Sequence, residues 1–179
     1  MKRTLLSAAI LFVLLGCAHW AGAQTIPPVK GKALDDSEVV LPKPGSQQLL
    51  ILVVGFSQKS GDFCAAWGKR LALDYPADSR VAVYQLPELQ SAPSLVRGLI
   101  VHGMRKGVPP AQHSHFVPLY DHEDDWKKTV NFSAPNDPYI VVAAPDGHVL
   151  WQTHGPVSDS GYAQLKSAVA KLLADSPKQ

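Results

Sequence analysis

Leu49-Leu-Ile-Leu-Val-Val-Gly-Phe-Ser-Gln-Lys-Ser-Gly-Asp-Phe-Cys64 decides how this chain is read. Leu49 to Phe56 is a continuous apolar run of strand length, the pattern of a strand covered on both faces. A short polar turn follows. Phe63, Trp67 and Leu71 then recur at i, i+4 and i+8, which predicts a helix over 62–73 with Asp62 or Ser60 as its cap. The junction is strand, turn, helix, with a thiol at the helix start. The residue three positions before Cys64 is Gly61, so the junction carries one thiol and not a pair.

Downstream, Val81 to Leu86 reads as a second strand. Ser91-Ala-Pro93 opens another helix, with Ser at the cap and Pro in the first turn. Its apolar stripe is Leu95, Val96, Leu99, Ile100 and Met104. Arg105 and Lys106 sit at the negative end of its dipole, and Gly107 with Pro109 stops it. His115 to Tyr120 suits a short strand, and 124–130 a short helix around Trp126. Tyr139 to Ala144 and His148 to Thr153 flank Pro145-Asp146-Gly147, a hairpin signal. Tyr162, Leu165, Val169, Leu172 and Leu173 mark a last helix, and residues 175–179 read as a frayed end. Upstream, residues 24–48 form a lead-in segment. It is broken by Pro27-Pro28 and Pro42-Lys43-Pro44-Gly45, with a small hairpin around Asp35-Asp36. Alternating strands and helices across 49–174 imply one α/β domain, a central mixed sheet with helices on both sides.

The first residues carry the marks of an export signal. Lys2 and Arg3 precede an apolar stretch, Leu5 to Gly16, too short to span a bilayer stably. Two cleavage sites are legible. Ala21-Gly22-Ala23 before Gln24 is a small-residue site, giving a signal peptide of residues 1–23. Leu14-Leu15-Gly16-Cys17 resembles a bacterial lipobox, which would remove residues 1–16 and leave Cys17 lipidated. Either outcome places the folded part outside the cytoplasm, in the periplasm or on the cell-envelope surface. Membrane association would then run through the Cys17 lipid or through a membrane-protein client. About 155 residues remain, the size of one domain. The chain's net charge of +2 falls near zero without Lys2 and Arg3. No basic stripe interleaved with aromatics is present, which argues against nucleic acid. An oxidising compartment favours paired cysteines. The 2 cysteines here are Cys17 and Cys64, so either cleavage leaves Cys64 as the only free thiol.

The order of elements resembles the thioredoxin fold in its extended, redoxin-like form, over about residues 30–174. Two landmarks carry the resemblance: the junction Gly61-Asp62-Phe63-Cys64, and Asn136-Asp137-Pro138-Tyr139 immediately before a strand. In that superfamily a cis-proline stands before this strand and faces the redox motif, and Pro138 matches its position after a small insertion. A narrower likeness lies in Phe56-Ser57-Gln58, Val83-Tyr84-Gln85-Leu86 and the closing Pro145-Asp146-Gly147-His148-Val149-Leu150-Trp151-Gln152-Thr153-His154-Gly155. These look like the mitochondrial ATP synthase assembly factor family. There the hairpin is of Asp-x-x-Gly-x-x-Arg-Trp type. Here Asp146 and Gly147 are adjacent, and Leu150 stands where an Arg is common. The resemblance implies assembly work on a protein partner rather than turnover of a substrate, and no cofactor.

Three chemistries are weighed for the candidate residues. A thiol at a helix N-terminus is biased toward thiolate. Yet in Cys-x-x-Cys proteins the exposed nucleophile is the first position, here Gly61, and a lone covered Cys is commonly a small hydrophobe. A single-thiol oxidoreductase or peroxidase using Cys64 needs its resolving thiol from another molecule. By resemblance, peroxiredoxins place a Thr where Gly61 stands. His113-Ser114-His115, if extended, puts both imidazoles on one face, and with Cys64 forms a set of the kind copper or zinc accepts. Copper-delivery proteins of this fold carry, by resemblance, a Cys-x-x-x-Cys site that is absent here. Asp121, Glu123, Asp124 and Asp125 read as a helix-start cluster. His102, His122, His148 and His154 read as surface or hairpin residues. The reading favoured by the residues is a non-dithiol protein that binds a protein or peptide partner. The resemblance to thioredoxin-like folds implies that Ser57, Gln58, Lys59, Gly61 and Pro138 form its surface, holding an extended peptide by strand addition at a cis-proline.

Overall fold

The structure, a computed structural model, describes residues 24–76 and 80–175. The expected export signal, the alternative cleavage at Cys17 and residues 176–179 lie outside the described residues.

The sheet is built around β3 (Leu49–Gly55), and every one of its residues is buried. β4 (Val81–Pro87) lies parallel to one side of it, from Leu49 opposite Val81 to Gly55 opposite Pro87. β5 (Pro138–Ala143) lies antiparallel on the other side, with Gly55 opposite Pro138. β6 (Val149–His154) closes the order β4-β3-β5-β6 as an antiparallel edge. A strand with neighbours on both sides and layers on both faces has no polar surface to present, hence the unbroken apolar run. Alternation sorts its side chains: Leu49, Ile51 and Val53 enter one core and Leu50, Leu52 and Val54 the other.

The first face carries α1 (Gly61–Asp74) and α4 (Asp159–Asp175), which bring Trp67, Leu71, Tyr162, Leu165 and Val169 into the core. The expected stripe of α1 is met at Trp67 and Leu71, but Phe63 lies 40% exposed. Arg70 stacks on the Tyr162 ring and pairs with Asp159, and the Tyr162 hydroxyl donates to Asp74 at 3.0 Å, so the two helices are clasped along their outer seam. Among the described residues the second face carries no long helix. It is covered by the hairpin of β1 (Val29–Lys32) and β2 (Glu38–Leu41), by the short α3 (Glu123–Thr129) with Trp126 buried, and by Val117 and Leu119. The expected strand at 115–120 is realised in part. Val117 donates to Gln85 O and Leu119 to Pro87 O, so this stretch runs beside the second half of β4 through isolated bridges.

The second predicted helix, α2 (Ser94–Gly107), forms but is turned the other way. None of its residues is buried, and Leu95 and Leu99 are 96% and 73% exposed. It is held by two arginines. Arg97 donates to the carbonyls of Ala92 and Gln90, and Arg105 to the carbonyl of Leu34 and to Asp36. Satisfying those carbonyls fixes the polar side toward the body and leaves Leu95, Val96 and Leu99 outward.

Candidate functional site

β3 ends at Gly55, and the chain turns through Gln58–Ser60, a single 3-10 turn, into α1. The turn is capped reciprocally: Ser60 N donates to Ser57 Oγ at 3.2 Å and Ser57 N to Ser60 Oγ at 3.3 Å. Gln58 and Lys59 are exposed, while Ser60 is fully buried. Gly55 is a glycine because α1 begins on top of it. A Cβ there would lie 2.8 Å from Cys64 Sγ and 2.9 Å from Ser60 Oγ. Gly61 has no such constraint. Its φ of −57° and ψ of −46° are ordinary helical values, and a Cβ would meet nothing within 4 Å. A Cβ fits there, so crowding at that atom does not account for the missing first thiol.

Cys64 sits in the first turn of α1, where the helix dipole favours a thiolate. Burial opposes it and wins. Desolvation pushes the Cys64 thiol up to about 12, and a hydrogen bond with Ser60 offsets only part of that. At neutral pH Cys64 is a protonated, weakly polar filler between helix and sheet.

Three segments close this end of the sheet. Ser57 Oγ donates to Asn136 Oδ1 at 3.3 Å, tying the turn to the approach of β5. Trp67 Nε1 donates to Gly155 O at 2.9 Å, tying α1 to the exit of β6. His154 Nδ1 pairs with Asp137 Oδ2 at 2.8 Å and stacks on Tyr139, which locks the ends of β5 and β6 together. His154 thus belongs to the site end of the sheet rather than to a remote hairpin surface. Nothing in the sequence flags Asp137 and His154 as partners, because the β5–β6 register alone brings them together.

No protein-family model matches the chain, and no curated protein matches it. Solved structures do. The thioredoxin domain of a thiol-disulfide oxidoreductase from Bacteroides vulgatus aligns over 81% of this chain and 95% of its own, with 16% identity and a TM-score of 0.55. The exposed lipoprotein thioredoxin of Streptococcus pneumoniae aligns over 80% and 99%, with 12% identity and a TM-score of 0.55. BsSco, of the Sco family of cytochrome c oxidase assembly proteins, aligns over 82% and 94%, with 12% identity and a TM-score of 0.52. The fold is thioredoxin-like.

Within the thioredoxin-like frame two expectations are corrected. The cis peptide among the described residues is Leu41–Pro42, and Asp137–Pro138 is trans. Pro138 is also buried as the first residue of β5. It pairs with Gly55 on one side, and its carbonyl accepts Gly155 N at 3.0 Å on the other. Both edges are taken, so no strand can be added at Pro138 itself. The metal set fails as well. Pro110–His115 is a 3-10 turn, not an extended stretch, so His113 and His115 do not share a face. His113 Nε2 bonds to Val108 O at 2.9 Å, and His115 packs on the Tyr84 ring. No group of three His, Cys, Asp or Glu among the described residues is placed to hold a metal.

Proposed function

We propose that this chain is an exported thioredoxin-like binding protein that holds a protein or peptide partner at the rim of Ser57, Gln58, Lys59 and Gly61, with Asn136 beside it and Pro138 as its buried floor. The observation that carries this reading is the state of Cys64. The one thiol at the junction is pushed up to about 12, is the single cysteine among the described residues, and is packed against Gly55 and Ser60. A scaffold whose thiol stays protonated is better suited to holding a partner than to exchanging disulfides with it. BsSco, similar in fold, is described as a member of a family of assembly proteins. The finer assignment, a bacterial counterpart of the ATP synthase assembly factors acting on a membrane-protein client, rests on Phe56-Ser57-Gln58 and the closing hairpin.

One observation favours a second reading. Cys64 stands in the first turn of α1, and similar folds include thiol-disulfide oxidoreductases. In that reading Cys64 is a single redox thiol resolved by another molecule.

Site-directed photo-crosslinking in the producing cell separates the two. A photoreactive residue at Gln58 is expected to give a discrete protein adduct that the same residue at Lys171, on α4, does not give. The adduct should persist in Cys64→Ala and weaken in Lys59→Glu. Disappearance of the adduct in a folded Cys64→Ala protein overturns the binding reading in favour of the thiol.

A further inference from the structure

A cavity of about 260 Å³ lies away from the Cys64 junction, between α1, the outer edge of β4 and the Pro110–His115 turn. Its apolar wall is made by Ala72, Tyr75 and Val83, and its polar end by Gln85, Gln112 and His115. Among the described residues no charged side chain lines it.

The polar end is built rather than incidental. Gln85 points out of β4 and is only 8% exposed. Its amide occupies space that exists because residue 68 is glycine: a Cβ there would lie 2.4 Å from Gln85 Nε2. Nε2 donates to Gln112 Oε1 at a long 3.4 Å. The other half of each amide is uncommitted, since no residue among those described donates to Gln85 Oε1 or accepts from Gln112 Nε2. Neither atom is among the fully enclosed unpartnered ones of the described residues, which are Glu88 Oε2 and Gln152 Oε1, so both remain open to the cavity and available to a ligand. His115 uses Nδ1 on Ser114 Oγ at 2.9 Å, and desolvation lowers its pKa, so it adds a neutral ring to the wall and no charge.

An unused acceptor beside an unused donor is the complement of a primary amide, which offers one N–H and one C=O in a plane. The apolar wall suits a flat ring. The volume lies just under the range of drug-sized sites, which limits the occupant to one ring. An anion would be desolvated with no cation to meet it.

We propose that this cavity binds a small, uncharged aromatic carboxamide, its ring between Ala72, Tyr75 and Val83 and its amide against Gln85 and Gln112. The inference is independent of the partner-binding rim.

Benzamide is the probe, titrated into the exported protein and followed by backbone amide shifts. Saturable shifts are expected at Ala72, Val83 and His115 with a Kd of about 1 mM, a level a single-ring ligand reaches. Benzoate should bind at least about tenfold more weakly because its charge is unpaired in the site. Gln85→Leu should weaken benzamide by about tenfold while leaving ethylbenzene unchanged or tighter. Ala72→Phe, which fills the apolar end, should abolish both. Should Gln85→Leu not fold, the benzamide-to-benzoate ratio and Ala72→Phe decide alone. Absence of saturable shifts, equal affinity for benzamide and benzoate, or full binding to Ala72→Phe overturns the proposal.

Discussion

Alkylation of native Cys64 by iodoacetamide at pH 7.5 should run about 100-fold slower than alkylation of a free cysteine peptide. The magnitude follows from the position of the thiol. A free cysteine with a pKa of about 8.5 is roughly 10% thiolate at this pH. With Cys64 pushed up to about 12 by burial, its thiolate fraction is about 3 × 10⁻⁵, some 3,000-fold less. The more basic thiolate is the better nucleophile, and a Brønsted slope of about 0.45 over 3.5 pKa units returns roughly 40-fold. The net deficit is close to two orders of magnitude, before any steric hindrance from Ser60. The assay is peptide mapping of the exported protein after timed exposure to the reagent, so that Cys64 is followed by itself. Its pH profile matters as much as its rate. Alkylation should climb about tenfold per pH unit without a plateau below pH ~11, whereas a thiolate stabilised by the helix would plateau near neutrality. A rate equal to or above that of the free peptide would refute the argument that burial defeats the helix dipole here, and with it the binding reading.

Two further predictions concern parts of the fold outside the junction. Desolvation raises Glu88 to about 7, with the nearby Glu123 charge adding to the shift while Lys127 holds Glu123 below its ordinary value. A raised carboxyl contributes its stability in full below the unfolded pKa of about 4.3 and loses it as pH rises through about 7. Glu88→Gln should therefore be little different from wild type in urea unfolding at pH 4.5 and gain relative stability up to pH 8; a constant difference across that range removes Glu88 as the titrating group. On α2, Leu95→Ser and Leu99→Ser should each change unfolding stability by about 0.5 kcal/mol or less, against the ~2–5 kcal/mol of a core leucine truncation. A core-sized loss would mean that these side chains are covered in the folded protein.

Most of the frame was legible because it rests on local signals. The seven buried positions of β3, the Trp67–Leu71 spacing and the Asp146-Gly147 turn each declare themselves within a few residues. What was not legible depends on polar partners and strand register that periodicity does not report. The stripe of Leu95, Val96 and Leu99 reads as a core face by periodicity alone. Its outward direction is set by Arg97 and Arg105 answering the carbonyls of Gln90, Ala92 and Leu34. His113 and His115 look paired if the chain is extended and separate when Pro110 starts a 3-10 turn. Asp137 and His154 meet only through strand register, and Gln85 reaches Gln112 only because Gly68 leaves room for its amide.

The open geometry at Gly61 allows the redox question to be asked from the opposite direction. Gly61→Cys would restore a Cys-x-x-Cys spacing at the first position of α1, where φ and ψ are helical and no atom lies within 4 Å of a new Cβ. Replacing glycine in a helix should leave stability unchanged or raise it by up to about 1 kcal/mol. The introduced thiol would lie at the N-terminus of a 14-residue helix and in solvent, so the dipole would act on it without the desolvation that governs Cys64. It should alkylate faster than a free cysteine, while Cys64 in the same molecule stays slow. With oxidised glutathione, the exposed thiol attacks one sulfur and releases one glutathione thiolate, giving a mixed disulfide. Cys64 can then displace the second glutathione as a thiol and close the intramolecular bond. Mass spectrometry distinguishes a stable glutathione adduct from a protein two hydrogens lighter. Closure of the bond would show that the scaffold retains everything a dithiol needs except the residue at 61. A persistent adduct would show that the packing of Cys64 against Gly55 and Ser60 withholds the second thiol as well, and that the junction is organised around contact rather than electron transfer. A variant that does not fold would refute the claim that position 61 is sterically free.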